Sequence, residues 1–217
     1  MNHPFTEEEI RELEKQLSCP NGEFGIEIGE TMNETNIRMT LNSIDFLTLK
    51  NDNVVLELGH GNCGHLQELL GAAKRLNYHG LEISETMYEE AQKINADKPA
   101  EFNRYDGNTI PYANHFFDRT FSVNTIYFWE NPEQLIGEIE RTLKPEGCCV
   151  LTFGNKEFME NLPFVRGRFT LYDRRRIKRL IGKSNLTIEE TREVTEQVKS
   201  KTGDQVERKF TMVKLKK

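Results

Sequence analysis

A short apolar run that ends in a glycine-rich turn places the strongest constraint on this chain. Residues 54–58, Val-Val-Leu-Glu-Leu, are typical of a buried parallel strand, and Gly59, Gly61 and Gly64 follow at once. Glycine lets the backbone turn tightly and lets a ligand approach the chain closely. In a parallel α/β sheet, ligands bind beyond the carboxyl ends of the strands. The turn therefore predicts a ligand site at the end of the first strand.

The order of the segments that follow predicts the fold. Apolar runs alternate with amphipathic runs from residue 53 to residue 153, which is typical of a doubly wound, mostly parallel α/β sheet. Further strands are expected at 78–83, 101–105, 117–124 and 147–153, with helices at 64–76, 85–95 and 132–143. The chain beyond predicts a basic helix at 173–181 and an antiparallel C-terminal hairpin of 186–188 and 210–215 around a turn at Gly203. We expect one seven-stranded sheet.

The first 48 residues predict a helical lid over this core. Thr6 is suited to cap a helix that runs to Leu17, and Pro20-Asn-Gly predicts a turn. The stretch 21–36 is rich in Gly and Asn and lacks apolar periodicity, so we expect it to be loose and able to open. Asn36 is expected to cap a second helix that ends near residue 49. We interpret 1–217 as one domain with a lid (1–48), a ligand-binding core (53–153) and a C-terminal part (154–217).

Composition narrows the class of protein. The chain has 217 residues, of which 36% are hydrophobic and 29% charged, so it is expected to be globular with its own core. Its net charge of −6 argues against a general nucleic-acid coat. No apolar run approaches the ~20 residues that cross a bilayer, and the N-terminus lacks the features of a signal peptide. The four cysteines show no C-x-x-C spacing. These features predict a cytoplasmic protein with reduced thiols.

The glycine spacing on its own fits more than one kind of site. Gly59-x-Gly61-x-x-Gly64 is the dinucleotide fingerprint, which would indicate an NAD(P)-dependent oxidoreductase, and a tight structural turn could show the same spacing. Glu57 opposes a dinucleotide, because a carboxylate repels a pyrophosphate and attracts a cationic, amine-bearing ligand. About fifty residues with helices also precede this strand, whereas a dinucleotide domain often starts near it.

Four motifs occur in order between residues 54 and 153: Val54-Val-Leu-Glu-Leu-Gly-His-Gly-Asn, Gly80-Leu-Glu-Ile-Ser-Glu-Thr-Met, Asp106-Gly-Asn-Thr-Ile-Pro-Tyr and Arg141-Thr-Leu-Lys-Pro-Glu-Gly. They resemble the class I S-adenosylmethionine-dependent methyltransferases, especially the small-molecule branch with the ubiquinone and menaquinone C-methyltransferases (methyltransferase type 11 domain). The resemblance implies a Rossmann-like methyltransferase fold, S-adenosylmethionine as cofactor and S-adenosylhomocysteine as product. One departure is Cys63, which stands where the family usually has a third glycine.

The resemblance also implies which residues contact the cofactor. Glu82 can accept hydrogen bonds from both ribose hydroxyls, and Asp106 can accept them from the adenine amino group. Ile83 and Met87 can enclose the adenine ring, while the end of the fourth strand would line the methionyl end. The expected cofactor residues are Glu57, Gly59, Gly61, Asn62, Glu82, Ile83, Met87, Asp106, Gly107, Asn108, Asn124 and Thr125.

The acceptor side is less constrained, because orientation alone can supply much of the acceleration of methyl transfer. The aromatic run at 127–129 predicts a wall suited to a planar or apolar acceptor. That run lacks the Asn/Asp-Pro-Pro-Tyr pattern of enzymes that methylate amino groups of nucleic acids, which argues against a nucleic-acid acceptor. No catalytic residue is assigned. The expected acceptor residues are Met32, Asn33, Asn36, Tyr127 and Trp129.

The remaining charged side chains give weaker indications. The five histidines and four cysteines show no metal-ligand spacing, so no metal is predicted. His60 and His65 are interpreted as packing residues, with a role as general base as the alternative. The basic cluster from Arg166 to Arg179 is interpreted as a solvated face, or else as a site for an anionic substrate. The leading prediction is methyl transfer to a small aromatic or apolar molecule; the alternatives are an NAD(P)-dependent oxidoreductase and a non-catalytic S-adenosylmethionine-binding module.

Overall fold

A seven-stranded sheet organises the chain. The structure is a computed structural model that describes residues 6–199 and 205–217, so the turn expected at Gly203 lies outside the described residues. The strands are β1 Val54–Leu58, β2 Asn77–Glu82, β3 Ala100–Arg104, β4 Phe117–Val123, β5 Leu143–Gly154, β6 Thr187–Lys199 and β7 Gln205–Lys216. Their order is β3-β2-β1-β4-β5-β7-β6, in which β1 to β5 are parallel and β7 is antiparallel to β5 and β6. The predicted fold class is confirmed.

Helices cover both faces of this sheet. They are α1 Glu7–Ser18, α2 Gly22–Phe46, α3 Leu66–Gly71, α4 Glu85–Ile94, α5 Pro132–Thr142, α6 Lys156–Met159 and α7 Arg174–Ile181, with a 3-10 turn at Ile126–Phe128. Along β5, Cys149 and Leu151 pack in one apolar cluster with α5 and α7, whereas Cys148 and Val150 pack in a second cluster with α2, α3 and α4. This period-two alternation separates the core into two layers. Within the described ranges, no helix combines the length and apolar character needed to cross a membrane.

Three helix starts are fixed by capping side chains, the first of them the predicted Thr6. Thr6 forms a capping box with Glu9, in which the Thr6 hydroxyl accepts from the Glu9 amide and the Glu9 carboxylate accepts from the Thr6 amide. Ser84 accepts from the Met87 amide at the start of α4. Asp173 accepts from the Arg176 amide at the start of α7. Local side-chain chemistry therefore sets these boundaries.

The prediction for residues 21–36 is wrong, because α2 is one continuous helix from Gly22 to Phe46. Asn36 lies inside this helix and is not an N-cap. The glycines that suggested a loop mark close contacts: a Cβ on Gly29 would lie 2.5 Å from Met87 Sδ, and one on Gly25 would lie 2.8 Å from the carbonyl carbon of Pro20. Glycine lowers helix propensity by about 1 kcal/mol, and packing of α2 against α4 offsets that cost.

Other elements differ from prediction in length. α3 ends at Gly71 and not at residue 76, because the chain turns before β2 through Arg75, which adopts a left-handed φ of 53°. β5 begins at Leu143, four residues early, because Leu143 already pairs with Phe117 of β4. β6 and β7 extend over 187–199 and 205–216, since the two strands pair along their whole length.

Candidate active site

A cavity of about 240 Å³ opens at the carboxyl ends of β1, β2 and β4, and we call it the strand-end cavity. The turn after β1, the end of β2, the start of α4, the loop after β3 and the chain after β4 all contribute to its wall, and α2 borders it. Its lining contains all twelve residues predicted for the cofactor: Glu57, Gly59, Gly61, Asn62, Glu82, Ile83, Met87, Asp106, Gly107, Asn108, Asn124 and Thr125. Met32, Asn33, Asn36 and Trp129, predicted for the acceptor, line it as well.

The turn after β1 needs its glycines for two different reasons. Gly59 has a φ of 71°, and a Cβ there would collide with the Thr125 methyl group. Gly61 has a φ of 57°, but a Cβ there would meet nothing within 4 Å, so this glycine faces open space. Cys63 also has a positive φ, of 51°, and its sulfur lies 3.2 Å from the Tyr78 hydroxyl in the core. The Cys63 side chain therefore points away from the ligand side of the turn.

Glu82 ends β2 with a fixed, buried carboxylate. Its Oε2 accepts a 2.9 Å hydrogen bond from the Gly61 amide, and its Oε1 accepts from the amides of Ile83 at 2.8 Å and Ser84 at 3.0 Å. A carboxylate has about four acceptor positions, so these three bonds leave capacity for a hydroxyl donor in the cavity. The arrangement ties the glycine turn to the strand end.

The loop after β3 contributes Asp106 to the wall of the strand-end cavity. Its Oδ1 accepts from the amides of Thr109 at 2.7 Å and Asn108 at 2.8 Å, and these bonds lower the pKa of the Asp106 carboxyl. Both bonds use the same oxygen of an exposed side chain. Ile83 lies near this loop, since its Cγ2 would be 3.4 Å from a Cβ on Gly107. Apolar and acidic groups thus occur side by side in this region.

A buried cluster lies beside the turn. Glu57 Oε2 accepts from His65 Nε2 at 2.9 Å and from the Tyr78 hydroxyl at 2.6 Å. Burial opposes the charge on Glu57, but the positive charge and hydrogen bond of His65 outweigh it and lower the pKa of the Glu57 carboxyl. Burial likewise opposes the charge on His65, and the carboxylate of Glu57 overcomes it and raises the pKa of the imidazole. Both shifts favour the ion pair of carboxylate and imidazolium, in which His65 partly neutralises the charge that Glu57 presents to the cavity.

The same cluster bears on the prediction that there is no metal. Ligand atoms of Glu57, Cys63 and His65 lie within 4.8 Å of one another, a grouping that sequence spacing does not reveal. His65 Nε2 and Cys63 Sγ already contact Glu57 and Tyr78. We interpret the cluster as a hydrogen-bond network, and the absence of a metal stays a prediction.

His60 lies on the cavity wall as a buried, neutral ring. Its Nδ1 is 2.7 Å from the carbonyl oxygen of Gly61, and its ring packs 5.0 Å from that of Phe102. Burial lowers the pKa of His60, against the opposing effect of the Glu82 and Glu57 carboxylates. Its Nε2 has no hydrogen-bond partner among the described residues. The packing interpretation from sequence agrees with this position.

The chain after β4 has a constrained geometry. Asn124 adopts a φ of 59°, and its Oδ1 accepts a 2.9 Å hydrogen bond from the Tyr127 hydroxyl. The Tyr127 oxygen in turn accepts from the amide of Gly154 at 2.5 Å. Trp129 Nε1 donates to Thr125 Oγ1 at 3.0 Å. Tyr127 is buried behind this segment, so it does not form the wall of the strand-end cavity with Trp129 that the aromatic run suggests.

A second cavity of about 340 Å³ adjoins the first, and we call it the apolar cavity. Leu17, Met32, Asn36, Asn124 and Phe128 line both cavities. The rest of its wall comes from α1, α2, the 3-10 turn after β4, the segment 154–169 and the last two strands: Ile10, Leu13, Thr35, Met39, Tyr127, Gly154, Phe158, Met159, Leu162, Pro163, Phe164, Phe169, Val198, Val206 and Arg208. Sequence reasoning missed most of this set. Tyr127, predicted for the acceptor from the aromatic run, is in the set, and the apolar face of α1 was a further signal; the other residues are scattered along the chain.

Comparison with known proteins agrees with this geometry. Residues 56–151 match the family described as a methyltransferase domain. Residues 56–151 form a class I, S-adenosylmethionine-dependent methyltransferase domain. The uncharacterized methyltransferase YdaC of Bacillus subtilis (strain 168) is 30% identical to this chain over 120 residues, which are 54% of this chain, and the match spans 66% of that protein.

Solved structures show that the methyltransferase domain and its surroundings share a known fold. A Haloferax volcanii methyltransferase, solved in complex with the Trm112 methyltransferase activator, has a TM-score of 0.71 at 14% identity and covers 95% of this chain and 97% of its own. An S-adenosylmethionine-dependent methyltransferase of Mesorhizobium loti has a TM-score of 0.63 at 14% identity, with 82% and 96% covered. The narrower likeness to ubiquinone and menaquinone C-methyltransferases stays a prediction.

The basic cluster of this methyltransferase is divided between two settings. Arg166 Nη1 lies 2.7 Å from Glu7, and the Arg168 amide donates to Glu14 at 2.6 Å, so this part contacts α1. The basic side chains of α7 are exposed, and Arg176 lies over the Tyr172 ring at 5.0 Å. The first part holds α1 against the segment that walls the apolar cavity.

Proposed function

We propose that this domain catalyses methyl transfer from S-adenosylmethionine to a small apolar or aromatic acceptor. The observation that carries the proposal is the pair of adjoining cavities. The strand-end cavity is lined by every residue predicted for the cofactor, and the apolar cavity meets it at five shared residues. Bound S-adenosylmethionine supplies an electrophilic methyl group on a sulfonium sulfur. A second cavity beside the first is where an acceptor can approach in line.

The strand-end cavity fits such a cofactor in its shape and in its polar groups. Gly61 faces open space, so the backbone leaves room there for a ligand. Glu82 would hold the ribose hydroxyls, since three backbone amides already fix its carboxylate at the strand end. Ile83 and Met87 would enclose the adenine, with Asp106 as acceptor for its amino group. Asn124 and Thr125 would lie at the methionyl end.

The apolar cavity would select and orient the acceptor. Its volume of about 340 Å³ lies in the range of small-molecule sites. Aromatic rings form part of its wall, with Phe128 and Phe169 at 4.7 Å and Tyr127 and Phe169 at 5.6 Å between centroids. Met32 and Asn36 reach it from α2. We expect its role to be exclusion of water and alignment of the acceptor, in a cytoplasmic enzyme.

Calorimetric titration separates this function from the dinucleotide alternative. We expect S-adenosylhomocysteine to bind the full chain and NAD to show no heat of binding. Turnover is then measured with methyl-labelled S-adenosylmethionine against a panel of small aromatic and apolar acceptors. Labelled product from any member supports the proposal. Binding of NAD in place of S-adenosylhomocysteine would contradict it, and cofactor binding with no product across the panel would indicate a non-catalytic binding module.

A further inference from the structure

Two carboxamides sit where the cavities meet, and both have their oxygen atoms occupied. Asn36 and Asn124 line both cavities. Asn36 Oδ1 accepts a 2.9 Å hydrogen bond from Arg208 Nη1, and Asn124 Oδ1 accepts one of 2.9 Å from the Tyr127 hydroxyl. Each amide oxygen can accept a second hydrogen bond, but in an amide held in this way the N–H groups are the ones without a strong protein partner. The junction is therefore equipped with hydrogen-bond donors.

The surrounding chemistry fixes these orientations. Arg208 is buried and stays charged, and it is held by Glu196 at 2.8 Å and by the Thr35 carbonyl at 2.7 Å. It can only donate, so the atom of Asn36 that faces it must be the oxygen. The Tyr127 oxygen accepts from the Gly154 amide, which leaves its single proton for Asn124. Neither amide can be turned over without loss of a buried hydrogen bond.

The two NH₂ groups are poorly used within the protein. Asn124 Nδ2 has a 3.4 Å contact with the thioether sulfur of Met39, a weak acceptor. Asn36 Nδ2 has no partner among the residues that the structure describes. The charged group in direct contact with Asn36 is the Arg208 guanidinium, and Arg38 and Arg208 both approach the carboxylate of Glu196. Donors without acceptors at a ligand junction indicate that a ligand supplies the acceptor.

Among the described residues, the lining of the apolar cavity contains no histidine and no carboxylate that could accept a proton. Among its described lining residues, the titratable side chains are Tyr127 and Arg208. Burial raises the pKa of Tyr127, and arginine does not deprotonate in proteins. The histidines and carboxylates described above, His60, His65, Glu57 and Glu82, line the strand-end cavity and not the apolar one. A base at the nucleophile is needed only when the acceptor must lose a proton in order to react.

We propose, building on the function above, that the acceptor is an apolar molecule with one acidic oxygen, an enol or a phenol, which binds as its oxygen anion to the NH₂ groups of Asn36 and Asn124. The electron pair of that oxygen, or of the enolate carbon conjugated with it, forms the bond to the methyl carbon while the carbon–sulfur bond breaks and leaves its pair on sulfur. An anion and a sulfonium thus become two neutral products, and no proton has to be removed during the transfer.

The test uses a coloured probe pair with the full chain saturated in S-adenosylhomocysteine. 4-Nitrophenol reports its own ionisation by absorbance, and 4-nitroanisole is the matched probe that cannot ionise. We expect bound nitrophenol to ionise about one pH unit lower than the free compound, which corresponds to about tenfold tighter binding of the anion than of the neutral form. Nitroanisole should bind more weakly than the phenolate.

Variants assign the effect to the two amides. Asn36→Asp and Asn124→Asp keep an oxygen for Arg208 and Tyr127, and aspartate tolerates the positive φ of residue 124, but both replace the NH₂ donor by a carboxylate oxygen. Each should abolish the pH shift, and nitroanisole, which has no acidic proton, reports any change in the cavity itself. Asn51→Asp is the matched control, because Asn51 is exposed, lines neither cavity and keeps its oxygen as acceptor for the Lys74 amide.

The outcomes separate this inference from the function on which it rests. The inference would be overturned if bound nitrophenol ionised at an unchanged or higher pH, if both probes bound equally well, or if neither bound. In each of these cases, binding of S-adenosylhomocysteine would leave the methyltransferase proposal intact. A shift that persists in both aspartate variants would also overturn it. Loss of S-adenosylhomocysteine binding by the unaltered chain would instead count against the proposed function.

Discussion

The strand-end cavity and the apolar cavity are built from different kinds of sequence. The polar groups of the strand-end cavity lie between residues 57 and 130, apart from Ser18 and those that α2 contributes, and most follow directly after a strand. The wall of the apolar cavity comes from residues 10–39, 124–128 and 154–169 and from Val198, Val206 and Arg208. The first depends on local motifs and the second on tertiary contacts among α1, α2 and the last two strands. We therefore expect the two cavities to respond separately to mutation.

Glu82→Ala should give the largest effect on the strand-end cavity. We expect S-adenosylhomocysteine binding to weaken by about 1.5–3 kcal/mol, because charged hydrogen bonds to the ribose are lost. Calorimetry measures this loss, with Glu89→Ala, an exposed glutamate on α4, as the matched control. Unchanged affinity in a folded Glu82→Ala protein would remove Glu82 from the site.

Leu13→Ala should affect only the apolar cavity. Leu13 is buried on α1 and lines that cavity alone. Loss of its contacts should raise the KM for an apolar acceptor by about tenfold, equivalent to about 1.4 kcal/mol, with S-adenosylhomocysteine affinity unchanged. Leu41→Ala is the control, because Leu41 is an exposed leucine on α2 outside both cavities. A parallel fall in cofactor affinity would show that the cavities are not independent.

Asp106→Asn should have a smaller effect than Glu82→Ala on the same ligand. Asparagine keeps an oxygen for the amides of Asn108 and Thr109, so the loop is preserved while one charge is lost. We expect S-adenosylhomocysteine to bind roughly threefold more weakly, since apolar neighbours also hold the adenine. A greater loss than that of Glu82→Ala, measured by the same titration, would mean that the adenine end is wrongly placed.

The Glu57 and His65 pair predicts a small pH effect specific to the strand-end cavity. Because the pKa of His65 is raised, its stabilising contribution is complete below about pH 6.5, its ordinary value, and is lost as the pH rises through the raised value. Because the pKa of Glu57 is lowered, its contribution is complete above about pH 4.5 and is lost as the pH falls through the lowered value. The pair therefore contributes most between these two pH values.

His65→Gln should accordingly lower the free energy of unfolding by about 1 kcal/mol at pH 5.5, and by less at pH 9. Urea unfolding at the two pH values measures this difference. Leu13→Ala is the comparison, since loss of an apolar contact should cost the same at both. An equal loss at both pH values in His65→Gln would show that the pair is not ionised as described.

These contrasts explain what the sequence could predict. Glu82, Asp106 and the glycine turn were predictable because each stands at a fixed place relative to a strand end, and parallel strands bring such places together. Asn36 could be predicted as an acceptor residue, but its position inside a helix could not. Gly25 and Gly29 suggest a loop as long as their close contacts with Pro20 and Met87 are unknown. Arg208 could not be found at all. Its contacts with Asn36 and Thr35 join residues more than 170 positions apart and have no local signal.

The division of the site into a cofactor cavity and an acceptor cavity is tested most directly by a crystal structure of the full chain with S-adenosylhomocysteine. The account predicts that the ribose hydroxyls bind the Glu82 carboxylate and that the adenine lies between the Ile83 side chain and the loop that carries Asp106. It also predicts that the sulfur faces the junction of the two cavities at Asn36 and Asn124. Adenosine bound in the apolar cavity, or a sulfur atom that faces away from that cavity, would contradict it.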